Sequence, residues 1–382
     1  MEDQINIAIA CELAPAKTII PIIKRIKFLE KEEKDYLNWN KSKIIGLTHG
    51  KGVKELLKPY CNEIYSIGQG RGGGKVKRNN LELASLIIKD IFKAIKAMRG
   101  KNIDLLVTCG NAGDVRKSIA AANFLKIPII HIEQDIYNPI EFISYANLVT
   151  LPSKKYEDYF ENIYHIDNVV NIGGYPMANY VKEYINDEKL EISEEISLKY
   201  AVDDFILIVL GGDLKITDLK ELITSLENLD FPVIIAPYRF KREQIESLIT
   251  SNKIKVLDEF VDLLSLLKEA KALIYGAGMG MTIEAGVLEI PSIKIAGFHK
   301  KQGSVDLAKD LAIPILEISD LPKNMEELNK LSKPNGKFLI ENSELAIENL
   351  VDIINDFDFN NLPKKSGLSA MRAIWKKRSE FR

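Results

Sequence analysis

The chain has 382 residues, 46% hydrophobic and 28% charged, which excludes a disordered or collagen-like polymer and, at about 100–200 residues per domain, predicts two domains. Lys and Arg total 52 against 54 Asp and Glu, a net charge of −2, so no broad nucleic-acid footprint is expected.

The segment INIAIAC (5–11) is a short Ile-rich apolar run and predicts a buried strand. An amphipathic stretch over 17–33 follows, then the strand KIIGLTHG (43–50) and helical spacing over 81–98. The runs IDLLVTCG (103–110) and IPIIHIE (127–133) predict strands around a helix over 115–125, and strands at 147–153 and 168–174 follow. Strands separated by helices of this length predict βαβ units and a parallel sheet. The charged stretch 183–203 is expected to connect the domains. The alternation then restarts, with strands at 205–212, 231–237, 253–259, 272–278, 291–297 and 313–319. From 341 the pattern predicts a long helix, a loop and a basic end. The expected fold is thus two Rossmann-like parallel-sheet domains, over 1–182 and 204–350, facing each other across a cleft, with a tail over 351–382.

The three cysteines, Cys11, Cys61 and Cys109, form no CxxC pair. That argues against a disulfide scaffold or a zinc site and fits a reducing, cytoplasmic setting. No apolar run reaches the roughly 18 residues of a membrane helix, and MEDQ lacks the basic-then-apolar opening of a signal peptide.

Open α/β sheets bind ligands beyond the carboxyl ends of their strands, so the strand-to-helix loops are the places to search. GAGMGMTIEAGVLEIPSI (276–293) follows a strand and is expected to enter a helix near Met281. Gly276, Gly278, Met279 and Gly280 would let the backbone approach a ligand closely, with the glycines free to take positive φ. The helix N-terminus offers free N–H groups and partial positive charge, suited to a diphosphate. Glu284, expected within about the first turn, can accept hydrogen bonds from ribose hydroxyls. The plainer alternative is a tight turn with an acid that favours the helix dipole. LGGDLKITDL (210–219) offers a second phosphate loop through Gly211 and Gly212, with Lys215 as a cation, or else an ordinary turn before a helix starting near Thr217.

Three stretches in 210–308 together resemble the GT-B nucleotide-sugar enzymes, specifically the MurG-type N-acetylglucosaminyltransferases and related archaeal glycosyltransferase-like proteins. LGGDLKITDL resembles the family's Gly-Gly phosphate loop, with Asp213 where Ser is usual. VLDEFVDLLSLLKEAKALI (256–274) resembles its uracil-reading turn, which implies backbone contacts at Phe260 and Val261. GAGMGMTIEAGVLEIPSI resembles the ribose and diphosphate loop, with Glu284 as the ribose acid. Downstream, FHKKQGSVDLA (298–308) resembles the loop whose Gln contacts donor-sugar hydroxyls, which implies Gln302. The resemblance implies a C-terminal donor domain, an N-terminal acceptor domain and a tail that crosses back to the latter. It also implies transfer of an N-acetylhexosamine-type sugar from a UDP-sugar, by metal-independent inverting displacement. A lipid-linked molecule at the cytoplasmic membrane face is one acceptor it suggests.

In the N-terminal half, Glu133-Gln134 resembles the E-Q pair of those transferases. His131-x-Glu133 resembles the H-x-E of UDP-N-acetylglucosamine 2-epimerases, which share the fold. An epimerase, or a nucleotide-sugar-binding protein without catalysis, is therefore the alternative. CELAPAKTIIP (11–21) departs from both families' first loops. Candidate bases at strand ends are Glu12, Asp114, His131 and Glu133. His131 and Glu133 are two apart, hence on one side of a strand. Asp114 is equally readable as a helix cap, and His131 as a structural histidine. GQGRGGGKVKR (68–78) matches a lone G-x-G-x-x-G, which is weak, and fails as a P-loop. Its cations, Arg71 and Lys75 among them, suit a loop that grips an anionic acceptor or, equally, a flexible solvated loop. DFD (356–358) is expected to be a solvated turn, and no cofactor or essential metal is expected. Leu368, Met371, Ile374 and Trp375 form a stripe that suits packing on the protein itself or a membrane surface.

Overall fold

The computed structural model describes residues 4–33, 35–68, 80–186, 199–200, 204–211, 214–238, 240–258, 263–276, 278–297, 301–321 and 331–381. The chain forms two compact units, Met1–Tyr180 with Glu341–Glu380, and Val181–Ile340 with Phe381–Arg382. Residues 341–350, expected in the second domain, thus group with the first unit.

The first unit is built on β1 (Ile5–Ala10), β2 (Ser42–Thr48), β3 (Glu63–Ser66), β4 (Leu105–Cys109), β5 (Ile129–Ile132), β6 (Leu148–Leu151) and β7 (Val169–Asn171). Their spatial order is β3-β2-β1-β4-β5-β6-β7, and all neighbours pair in parallel. The Ile- and Val-rich runs suit this because helices cover both faces of such a sheet. β3 carries no comparable run; its sequence EIYS is only partly buried at the sheet edge, and the sequence pattern does not single it out.

Among the described residues, four helices precede β5: α1 (Leu13–Glu32), α2 (Lys51–Leu57), α3 (Asn80–Met98) and α4 (Gly113–Leu125). α1 begins four residues before the expected position. Pro15 lies in its first turn, where no backbone donor is needed, and Pro21 is carried inside it. Burial of Ile19, Ile20, Ile22, Ile23, Ile26 and Leu29 offsets the hydrogen bond that Pro21 removes, each such side chain contributing about 1.5–3 kcal/mol. The registers Ala10↔Leu47, Ala10↔Thr108 and Thr108↔His131 bring the carboxyl ends of β2, β1, β4 and β5 into one row.

The helix Gly367–Glu380 packs on this unit through Ala370 and Ile374, which join its core. Of the expected stripe, Leu368 and Trp375 remain exposed. Arg378 donates to Glu141 at 2.9 Å, beside the Arg116 contact at 3.0 Å. Within the same unit, Asn349 donates to the Ile172 carbonyl and Arg25 to Glu348.

The second unit holds β8 (Ile206–Val209), β9 (Val233–Ala236), β10 (Ile254–Val256), β11 (Ala272–Tyr275), β12 (Ser292–Ile295) and β13 (Ile315–Leu316). The order is β10-β9-β8-β11-β12-β13, again parallel. Each sheet therefore reverses its winding between its first and fourth strands, β1/β4 and β8/β11, where crevices for ligands open. No described helix is long and apolar enough to cross a membrane.

Gly110, just past β4, has φ +92°, and a Cβ there would stand 2.4 Å from Pro15 Cγ. Only glycine lets the β4 end lie against the first turn of α1. Gly110→Ala is expected to cost about 2 kcal/mol or more, seen as a lower midpoint in urea unfolding.

Candidate active site

In the first unit the carboxyl-edge loops converge on Asp114, in the first turn of α4. Its carboxylate is fully buried. Thr48 Oγ donates to it at 3.1 Å and the His49 amide at 3.0 Å. His49 Nδ1 lies 2.7 Å from both of its oxygens, and Lys117 Nζ pairs with it at 2.8 Å. The N-cap of α4 is Ala112, so Asp114 is not the cap that the sequence also allowed. His49 directly follows β2, with a side chain 27% exposed. Glu12, the N-cap of α1, completes the group. One ligand-type atom from each of Glu12, His49 and Asp114 lies within 4.8 Å of the others. That spacing could hold a metal ion, yet the Lys117 ammonium already supplies positive charge to Asp114.

The hydrogen bond to Asp114 holds the His49 pKa above its ordinary value, against a contrary pull from burial. Burial alone would raise Asp114, but His49 and Lys117 outweigh it and keep the acid below its ordinary value. Glu12 is pushed up, first by its own burial and then by the Asp114 charge. Two acids in one site are thus driven in opposite directions, as in acid–base sites.

His131 and Glu133 form a separate, sealed arrangement. Both lie on one side of β5 and its exit, as their spacing predicts. Thr108 Oγ1 stands 2.9 Å from His131 Nδ1, and Glu133 Oε2 stands 3.3 Å from Nε2. The second Glu133 oxygen accepts from the amides of Gln134 and Asp135. Gln134 donates to Thr18 of α1 at 2.7 Å. His131 is fully buried and Glu133 nearly so. The structure gives these two a loop-holding part and leaves His49, which the sequence reading did not single out, as the accessible imidazole. Its one sequence signal is a histidine at the carboxyl end of a strand.

In the second unit, the Gly276 amide donates to the Val209 carbonyl at 3.0 Å. A Cβ on Gly276 would stand 3.1 Å from Leu214 and 3.2 Å from the Gly211 nitrogen, so the loops after β8 and β11 lie side by side. The following helix spans Met279–Val287 with Gly278 as its N-cap, at φ −82°. Neither Gly276, Gly278 nor Gly280 has the positive φ expected; of the three, Gly276 serves close approach. Nothing lies within 4 Å of a Cβ built on Gly278, which leaves space beside the helix N-terminus. Thr282 ties this turn to β11 through Tyr275 Oη, 3.2 Å away. Glu284 sits in the second helical turn and is 4% exposed; it is not in the first turn. Lys294 of β12, which the sequence reading passed over, is buried 5.0 Å over the Tyr275 ring.

Lys215 is the exposed N-cap of the helix Ile216–Glu227, its amide donating to Asp218 at 2.9 Å. Gln302 occupies the N-cap position of the helix Gly303–Asp310, and its Oε1 accepts from Ser304 Oγ. Gly212, Phe260, Val261, Arg71 and Lys75 lie outside the described residues.

The two sheets define the GT-B fold. Solved structures of that fold align along nearly the whole chain. The UDP-GlcNAc 2-epimerase from Neisseria meningitidis bound to UDP-GlcNAc has a TM-score of 0.66 at 14% identity, over 92% of this chain and 100% of that one. The Methanocaldococcus jannaschii UDP-GlcNAc 2-epimerase, in complex with UDP-GlcNAc and UDP, has 0.66 at 18%, over 92% and 99%. The UDP-N-acetylglucosamine 2-epimerase from Rickettsia bellii has 0.67 at 14%, over 93% and 96%. At these identities the likeness is one of fold. No curated protein matches the chain. The sequence profile described as "Protein of unknown function (DUF354)" matches residues 119–321, more than half the chain. The chain belongs to that family.

The His49–Asp114 pair fixes a pH window for stability. The raised His49 pKa contributes fully below the ordinary value of 6.5 and is lost as pH rises through the folded value. The depressed Asp114 pKa contributes above 3.8 and is lost as pH falls through the folded value. Asp114→Asn is therefore expected to cost most between those two values, about 3 kcal/mol or more. In urea unfolding at several pH values, that difference should shrink in stronger acid, and above neutrality it should fall toward the part supplied by Lys117.

Proposed function

We propose that the chain is a UDP-sugar-dependent glycosyltransferase whose general base is His49. The observation that carries this reading is the imidazole itself: Nδ1 is held 2.7 Å from a buried carboxylate, while the ring stays partly open at the carboxyl edge of the sheet. A carboxylate on Nδ1 fixes the tautomer and stabilises the imidazolium that forms. Nε2 then takes the proton from an acceptor hydroxyl. The acceptor oxygen attacks the anomeric carbon, the bond from that carbon to the diphosphate oxygen breaks, and the nucleoside diphosphate leaves with the electron pair.

The second unit supplies the donor site in this reading. Amides at the start of the helix Met279–Val287 face the diphosphate across the space beside Gly278, and Lys215 adds charge without metal. Glu284 takes the ribose hydroxyls, Phe260 and Val261 the uracil, and Gln302 the sugar. In this reading Arg71 and Lys75 take an anionic, lipid-linked acceptor.

The pairing of Glu12 with His49 favours a second reading. Two proton-handling groups side by side suit removal and return of a proton on one sugar carbon, as a 2-epimerase requires, and the aligned structures hold UDP-GlcNAc. Incubation of UDP-GlcNAc with the protein alone separates the two readings. Conversion to the C2 epimer without acceptor establishes the second and overturns the first.

UDP binding tests the donor site. Glu284→Ala should weaken it by about 1–3 kcal/mol, the range for hydrogen bonds to a charged group. Gly278→Val should abolish it in a protein that still folds, because the side chain enters open space. Calorimetry showing unchanged UDP affinity in both variants would remove the donor site from this loop. His49→Gln should keep UDP affinity and lose turnover.

A further inference from the structure

Behind His49 and Asp114 the charges continue into the core. Lys117 Nζ lies 2.8 Å from Asp114 and 3.4 Å from Asp90 Oδ2. Lys93 Nζ lies 3.6 Å from the other Asp90 oxygen, which accepts no hydrogen bond among the described residues. The Lys117 and Asp90 side chains are 6% and 2% exposed. Gly68 covers Asp90: its φ is +128°, and a Cβ there would stand 2.1 Å from the Asp90 carboxyl. Any other residue would push into that carboxylate, so the covering position requires glycine.

A buried chain of alternating charges adds little stability over apolar packing of equal volume, so its presence next to an open histidine calls for another reason. We propose that Lys117 is a positioning residue that acts on His49 through Asp114, with Asp90 as the counterweight that sets how strongly it acts. This rests on the reading of His49 as the base, but the charge coupling can be measured without any substrate.

Lys117 keeps Asp114 ionised, which holds Nδ1 in place, while its own charge opposes protonation of the ring. Asp90 withdraws part of that charge. In a water-poor interior such effects are weakly screened. The other groups facing the pair are Glu12, the Thr48 hydroxyl and the Cys11 thiol, which burial keeps protonated. Burial and the Asp114 charge hold the Glu12 pKa above its ordinary value.

The coupling predicts shifts of opposite sign. Lys117→Met removes a positive charge and should raise the His49 pKa. Asp90→Asn frees the Lys117 charge and should lower it. Each shift should be about half a unit or more, read from the imidazole signals of the full-length protein by NMR. The chain has four histidines, and His49→Gln identifies the signal. Repeating both titrations with Glu12→Gln removes its contribution. A merely structural triad predicts lower stability in both variants with no signed pair of shifts, and that result overturns the proposal. Should Lys117→Met fail to fold, Asp90→Asn decides alone: a fall supports the coupling, and an unchanged or raised value refutes it. If both shifts occur and no UDP-sugar is turned over, the coupling stands and the functional reading falls.

Discussion

A carboxylate shut away from water stays ionised only if donors replace its hydration. Asp114 meets that condition with a hydroxyl, a backbone amide, an imidazole and an ammonium. Those donors come from the end of β2 and from α4, elements whose contacting residues are about 65 positions apart in the chain. The requirement therefore does two things at once. It ties two elements across the carboxyl edge of the first sheet, and it gives the imidazole there one orientation. The geometry of the candidate base follows from satisfying one buried charge.

The second unit reaches a comparable place by steric means. β8 and β11 stand where β1 and β4 stand in the first sheet, because both sheets share one strand order. There the missing side chain at Gly276 lets the two loops touch, and the missing one at Gly278 leaves room beside a helix start. Charge organises one crevice and absence of bulk the other. Each arises at the reversal of strand order, where consecutive loops turn away from each other.

The alternation of apolar runs with amphipathic stretches made both sheets legible, since strands buried on two faces have little freedom of composition. What stayed hidden depended on tertiary context. Pro15 and Pro21 look like helix breakers until the apolar face of α1 is seen packed. EIYS forms β3 because β2 offers an open edge, not because its own pattern demands a strand. Glycine spacing at 276–280 exposed the loop but not its dihedrals, because close approach and positive φ require the same residue. His49 was concealed at the end of the strand run KIIGLTHG, and Asp114 resembled a cap before an amphipathic helix. Neither suggests the other in a linear reading.

The two histidines of this edge show what separates a scaffold group from a reactive one. His131 and His49 each have an acidic partner and each lie at the end of a parallel strand. The H-x-E spacing draws attention to the first. Yet Thr108 and Glu133 occupy both of its ring nitrogens in a closed interior, and the remaining Glu133 oxygen holds two amides of the next turn. Moving a proton there would break a buried network, at a cost of several kcal/mol. His49 spends one nitrogen on Asp114 and keeps its ring partly in solvent, so a proton can arrive and leave without unmaking the fold. By that physical criterion the histidine open to proton exchange is the one without a motif, and the motif belongs to the framework that holds the β5 turn and, through Gln134 and Thr18, the start of α1.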